Sequence, residues 1–212
     1  MLSAPESPGE LAARIASNNT PPVVEIKNQQ FTTDGVTALA NALKTNTSIR
    51  ALSVQCKLGD AAVEILIDGL RENRTIQKLT LASNMIHNSA VRFASSVLVG
   101  CAMPLEELNL CWNQIDDDGA KAIADGLIAH QHIRKVEVYF NNFTVQGMKH
   151  FLPALKKNGN LLTLSISAPG LTPKDIHSFE QYAIAEYGIA NDRLKVLGQD
   201  AGANLFSPKR EW

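Results

Sequence analysis

Leu108-Asn-Leu-Cys-Trp-Asn-Gln-Ile115, running on through Asp116-Asp-Asp-Gly119 into Ala120 to Leu127, decides how the rest of the chain is read. Leu108 and Leu110 flank one residue, Asn113 follows three further on, and Ile115 comes two beyond that. A glycine and a run suited to a helix complete the unit. The same order recurs about six times. Its apolar pairs are Val24/Ile26, Leu52/Val54, Leu79/Leu81, Leu108/Leu110, Val136/Val138 and Leu164/Ile166, spaced by 28, 27, 29, 28 and 28 residues. So regular a period argues for a solenoid before any single element is assigned.

Each pair alternates with a period of two, whereas the stretch after it follows a period of 3.6, so every unit predicts strand, loop, helix, loop. One apolar residue marks the loop that ascends from the strand: Phe31, Leu58, Ile86, Ile115, Phe143 and Leu171. Small residues open the helices at Gly35, Ala62, Ala90, Gly119 and Gly147. Strands joined through a helix run parallel, and strands stack about 4.8 Å apart where helices need about 8–10 Å. The array must therefore curve, with strands on its concave side. The fold predicted is an α/β right-handed solenoid, a horseshoe arc with a parallel concave sheet of six to seven strands and convex helices.

Two sets of asparagines bear on the loops. Three residues beyond each strand pair stand Gln29, Lys57, Asn84, Asn113, Asn141 and Pro169. An Asn amide there can satisfy the backbone of a buried turn, so the three middle units should be the most regular. Asn18, Asn46, Asn73 and Asn158 each precede the next strand pair by six residues, where a helix must stop and the left-handed conformation is expected. This structural role accounts for Asn18, Asn46 and Asn73, which with Asn142 also read as glycan acceptors.

The pattern LxLxxNxI, then Gly, then an Ala- and Leu-rich helix, as in LNLCWNQIDDDGAKAIADGL, resembles the ribonuclease-inhibitor-like class of leucine-rich repeats, including the repeat regions of NOD-like receptors. The likeness extends from about Leu11 to Leu197. It implies this fold and a protein-binding role, without pointing to a particular partner.

Residues 1–22 read as an N-terminal helical cap, because Ser7-Pro-Gly-Glu10 is a capping box and Leu11 and Ile15 repeat the helix offsets seen in later units. Residues 23–171 hold the repeats. In 172–197 a longer helix, with Ile176, Phe179, Tyr182, Ala183 and Ile184 on its apolar face, is followed by an edge strand. Residues 198–212 show no period and read as an irregular tail.

Twenty basic and 21 acidic residues among 212 give a net charge of −1, which leaves no electrostatic footprint for nucleic acid or an anionic membrane. Hydrophobic residues make up 45% of the chain, enough for a sizeable core. No secretory signal or membrane-length apolar run is read, and three irregularly spaced cysteines, Cys56, Cys101 and Cys111, suit a reducing compartment. A cytoplasmic protein is expected.

On the strands, residues that alternate with the core pairs face the groove. Strands four and five stand out, with Glu107, Asn109 and Cys111 on one and Lys135, Glu137 and Tyr139 on the other. Trp112 and Phe140 follow at equivalent positions, where they would lie one strand apart and stack. They either anchor a partner or cover the ascending loops above Asn113 and Asn141. The candidate partner-binding set is Tyr139, Trp112, Phe140, Glu137, Asn109, Lys135, Glu107 and Cys111.

No catalytic motif, metal or cofactor is read. Asp116-Asp-Asp118 lacks the alternating spacing of a calcium loop and suits a helix start instead. His130-Gln-His132 reads as a solvated turn. The expectation is a non-enzymatic scaffold that binds a protein or peptide, not nucleic acid or membrane, with the oligomeric state left open. The alternatives are a GTPase-activating regulator of a small GTPase, suggested by resemblance alone, a structural subunit of a larger assembly, or a bacterial effector acting inside host cells.

Overall fold

The computed structural model describes residues 7–100, 103–190 and 192–198. Cys101, Trp212 and nearly all of the 198–212 tail lie outside the described residues. Seven strands form one sheet in sequence order: β1 (Val23–Lys27), β2 (Ala51–Gln55), β3 (Lys78–Thr80), β4 (Glu107–Asn109), β5 (Lys135–Glu137), β6 (Thr163–Ile166) and β7 (Leu194–Val196). Every neighbouring pair is parallel, and Val24, Leu52, Leu79, Leu108, Val136, Leu164 and Leu194 stand on successive rungs. The period counted along the chain is thus the register of the sheet.

Helices α1 (Pro8–Ala16), α2 (Thr33–Thr45), α3 (Gly59–Leu70), α4 (Ser89–Phe93), α5 (Asp117–Ala129), α6 (Val145–Lys157) and α7 (Pro173–Tyr187) form the second layer. A π-helical segment, Ala94–Val99, extends α4. Each helix packs on its sequence neighbours, and one apolar core fills the space between the two layers. Its strand side is the expected pairs, from Ile26 through Ile166, nearly all fully buried.

Cap chemistry fixes where the helices start. Ser7 and Glu10 form the expected capping box, Thr172 and Asp175 form a second, and Thr32, Asp116 and Thr144 accept from backbone amides in the first turns of their helices. The small residues sit inside the first turn rather than at its edge. At Gly147 a Cβ would collide with Asp117 and approach Phe143 Cβ to 2.6 Å. Smallness there lets consecutive helices start side by side.

The asparagines of the ascending loops build the expected ladder. Asn84 Nδ2 donates to Val54 O at 2.6 Å, Asn113 Nδ2 to Leu81 O at 3.0 Å, and Asn141 Nδ2 to Leu110 O at 3.0 Å. Their side-chain oxygens accept from the turns: Cys56 N bonds to Asn84 (3.0 Å), Asn84 N to Asn113 (2.9 Å) and Ile115 N to Asn141 (3.1 Å). At the second rung, where Lys57 replaces Asn, the Cys56 thiol donates to Ile26 O instead, at 3.5 Å.

The asparagines at the helix ends correct the sequence reading. Only Asn18 has a positive φ, 56°; Asn46 and Asn158 are extended, with ψ of 132° and 98°. Their amides instead make a second ladder along the opposite edge. Asn46 Nδ2 donates to Ile15 O (2.7 Å), Asn73 to Leu43 O (2.8 Å) and Asn158 to Leu127 O (2.6 Å). Each side-chain oxygen accepts from the backbone amides two and three residues further on. His130 occupies an equivalent place and accepts from His132 N through Nδ1 at 3.3 Å; it is only 5% exposed, so the predicted solvated turn is corrected at His130. Arg193 ends the series, donating to Leu155 O and Leu161 O at 2.8 and 2.6 Å.

A further correction concerns α7, which buries only Phe179 and Ala183. Tyr182 and Ile184 face outward, and Lys149 lies over the Tyr182 ring at 4.9 Å.

Candidate functional site

Beyond the second core residue of each strand the backbone turns sharply into the ascending loop. Four rungs make that turn with a left-handed residue at the same place: Asn28 (φ 56°), Ser83 (58°), Trp112 (59°) and Phe140 (55°). Asparagine adopts this conformation more readily than most residues. Bulky aromatics do so at a cost of about 1–2 kcal/mol each. On rungs four and five the turn is therefore made by the side chains least suited to it.

The two rings stack across the rungs, with centroids 4.2 Å apart and planes inclined by 34°. Tyr139 meets Phe140 edge-on at 5.2 Å. Stacked and edge-on aromatic pairs contribute about 0.5–1.5 kcal/mol beyond the area they bury, which offsets part of the backbone cost. Trp112 remains 40% exposed, while Tyr139 and Phe140 are half-buried. The stacking predicted from register is present. Beside Phe140, a hollow of about 180 Å³ is lined by Asn141, Ser167, Ala168, Pro169, Leu197 and Gly198. Ser167 shapes its wall by accepting from Phe140 N at 2.8 Å; on the preceding rung Trp112 N donates to Tyr139 O at 3.2 Å.

The polar flank is tied together. Lys78 Nζ reaches Glu107 at 2.8 Å across β3 and β4, Lys135 reaches Glu137 at 3.0 Å, and Asn109 Nδ2 donates to the other Glu137 oxygen at 2.9 Å. Such exposed pairs contribute little to stability but hold the side chains in fixed directions. Asn109 Oδ1 also accepts from Cys111 N at 2.9 Å, which orients its amide along the sheet.

Cys111 departs from its expected exposure. It is 1% exposed and lies beneath the face, hydrogen bonded to Tyr139, because it stands past the end of β4, where strict strand alternation no longer holds. Burial, and then the charge of Glu137, push its thiol far above the usual range. Burial likewise raises the Tyr139 hydroxyl, with Cys111 and Glu137 adding to it, so both groups stay neutral at physiological pH.

Among the described residues, no group of three or more His, Cys, Asp or Glu is placed to hold a metal, and no helix is long and apolar enough to cross a membrane. Asp116 caps α5 through Gly119 N at 2.9 Å, and Asp117 accepts from the Thr144 amide and hydroxyl at 2.7 and 2.8 Å. The acidic run is a helix start and a tie to the next repeat. One interaction has no signal in local sequence: Asp60 receives the Ser89 hydroxyl and the His87, Asn88 and Ser89 amides at 2.6–3.2 Å. Only the placing of the third ascending loop beside α3 makes that carboxylate a hub.

Comparison with known proteins agrees with the geometry. The Leucine Rich repeat family model matches residues 102–124. Porcine (Sus scrofa) ribonuclease inhibitor is 26% identical over 148 residues, covering 68% of this chain and 32% of that protein. Human NACHT, LRR and PYD domains-containing protein 13 is 27% identical over 117 residues, 55% of this chain and 11% of its own length. The chain thus spans a third or less of these two relatives. Among solved structures, the leiomodin-1 actin-binding site 2 superposes with a TM-score of 0.50 at 17% identity, covering 87% of this chain and 91% of the other, a likeness of fold.

Proposed function

We propose, from the premise that this chain is a leucine-rich-repeat protein of the ribonuclease-inhibitor-like class, that it is a non-enzymatic scaffold binding a protein partner on its strand face. Residues 23–171 present that face, with 1–22 and 172–197 closing the two ends of the array. Trp112, Phe140 and Tyr139 are the anchors; Glu107, Asn109, Lys135 and Glu137 are the polar rim. Cys111 acts from below by supporting Tyr139.

The observation that carries this reading is the pair of stacked aromatics in left-handed backbone on adjacent rungs, at the place where Asn28 and Ser83 serve elsewhere. Strain retained at a partly exposed position is a mark of selection for something other than folding. The partner inserts an apolar side chain into the hollow of about 180 Å³ beside Phe140 and aligns opposite charges with the rim. A rigid sheet loses little freedom on association, so few contacts suffice. The names of its relatives and fold neighbours, which refer to ribonuclease and to actin, fit a protein as the partner class. Cys56 and Cys111, both free thiols, fit a cytoplasmic setting.

Affinity capture from cell extract with the wild-type chain, Trp112→Ala and Tyr139→Ala, read by quantitative mass spectrometry, tests the reading. A partner retained by the wild type should fall about tenfold or more with either variant, at least ~1.4 kcal/mol. Equal retention by all three chains, with their circular dichroism unchanged, removes the site.

A further inference from the structure

The second ladder contains one side chain of a different kind. Asn46, Asn73 and Asn158 hold the turns that lead into β2, β3 and β6, and His130 holds the turn into β5. The exchange keeps the geometry and changes the chemistry. Asn46 Oδ1 accepts from the amides of Ser48 and Ile49, and His130 Nδ1 accepts from the corresponding amide of His132 at 3.3 Å. An amide oxygen accepts at any ordinary pH, whereas a ring nitrogen accepts only while it carries no proton.

The surroundings of His130 oppose a second proton. The residue is 5% exposed. Because Nδ1 accepts, the neutral ring carries its proton on Nε2, so protonation must occur at Nδ1, facing the His132 N–H. Two donors would then meet in a buried turn. Nothing nearby compensates. The preceding coil brings the π-helical segment Ala94–Val99, which has no titratable side chain, and Glu106 at the approach to β4. On its own helix, Lys121 and Asp125 are joined to each other at 2.7 Å; Arg134 stands at the entry to β5, and the following coil brings Lys156 and Lys157 at the end of α6. Of the charged groups among the described residues only His132, itself a base, acts on the ring. Burial, and then His132, hold the imidazole below its ordinary value of about 6.5.

The backbone of His130 ties two coils together. Its N–H donates to Gly126 O at 3.1 Å, and its carbonyl accepts from Asn158 Nδ2 of the next unit at 2.9 Å. We propose that His130 makes the turn between α5 and β5 an acid-sensitive joint: a proton on Nδ1 breaks the bond from His132, turns the ring out to solvent and loosens residues 130–133 along with the Asn158 amide that holds them. The buried ring is the weaker base, so closed and open turns are both neutral well above pH 6.5, and the open turn alone takes up a proton as pH falls through about 6.5. One unit lower an exposed histidine is charged about ten to one, so the open form gains up to about tenfold, and the gain levels off below the value of the buried ring. The turns built on asparagine contain no such group. The joint does not depend on whether the strand face binds a partner.

Hydrogen exchange of the full chain at pH 7.5 and 5.5 tests this, with rates expressed as protection factors so that the intrinsic pH dependence cancels. Protection of the His132 amide should fall about five- to tenfold, while that of Thr75 and Ile76, bonded to Asn73 in the corresponding turn, should stay within about twofold. His130→Asn installs the usual side chain of the ladder and should abolish the fall. His132→Asn, which removes the other imidazole, should keep it. Long-range ¹H–¹⁵N spectra of the wild type give a readout that needs no variant: His130 Nδ1 should carry no proton at pH 7.5 and gain one over the range in which protection is lost. Five results each overturn the proposal: a wild-type fall below about twofold, an equal fall in His130→Asn, its disappearance in His132→Asn, a fall shared by Thr75 and Ile76, or a proton already on His130 Nδ1 at pH 7.5.

Discussion

Replacing Asn113 by Ala cuts the ascending-loop ladder at its centre, and the cost can be worked bond by bond. The amide donates to Leu81 O, Leu110 O and Cys111 O at 3.0, 2.9 and 3.3 Å, and its oxygen accepts from Asn84 N and Ile86 N at 2.9 and 3.1 Å. Asn84 is 0% and Ile86 1% exposed, so water has no ready path to the two stranded amides. At about 1–2 kcal/mol for each, within the usual range for a buried donor left without an acceptor, Asn113→Ala should lose roughly 2–4 kcal/mol. That is a large share of the about 5–15 kcal/mol that holds an ordinary domain. Urea unfolding followed by circular dichroism gives the loss, and hydrogen exchange gives its location, since protection of Asn84 and Ile86 should fall most. Neighbour-coupled arrays also lose cooperativity when an internal interface weakens, so the transition should broaden or split. Gln114→Ala, at the exposed neighbouring position, is the control and should stay within about 0.5 kcal/mol of the wild type. A loss below about 1 kcal/mol in Asn113→Ala, with protection of Asn84 and Ile86 intact, would refute the idea that the ladder holds the loops.

Other outcomes follow from the same geometry. Gly69→Ala would bring a Cβ to 2.7 Å from Ala40 Cα, a backbone atom that cannot step aside, so α2 and α3 must separate at a cost of about 3 kcal/mol, visible in the thermal midpoint. For Asp60, burial alone would raise the carboxyl, but the bonds from Ser89, His87 and Asn88 outweigh it and hold it below its ordinary value. The folded value being the lower one, the stabilisation is full above the unfolded carboxylate range near about 4 and fades as pH falls through the folded value. Urea midpoints of the wild type and Asp60→Asn should therefore converge toward acid pH; a gap that is constant with pH would contradict the assignment. Iodoacetamide at pH 8, with peptide mapping, should modify half-buried Cys56 far faster than Cys111, whose thiol is sealed and raised, until urea unfolds the chain.

The rungs were legible because Leu79, Leu108 and Val136 obey two periodicities at once, a local alternation and a repeat of about 28 residues, which together call for one strand per unit stacked in register. The stack of Trp112 on Phe140 followed from that register. Its left-handed backbone did not, since neither residue favours it and the turn imposes it from the neighbouring coils. Asn46, Asn73 and Asn158 were misread for a related reason. An asparagine tolerates the left-handed region and also bridges carbonyls, and only the proximity of the previous coil selects the second role. Cys111 was misplaced because alternation was carried past the end of β4, where it no longer holds.

The paired amide seams have a consequence for how such a chain can change in length. Each turn of the coil donates side-chain amides to carbonyls of the one behind, at both margins, so no turn is self-sufficient. Gain or loss of one whole unit leaves both seams stitched, whereas a half-unit insertion would set every later asparagine opposite the wrong carbonyl. Lineages carrying this architecture should therefore differ by integral multiples of its unit, with fractional indels confined to the ends.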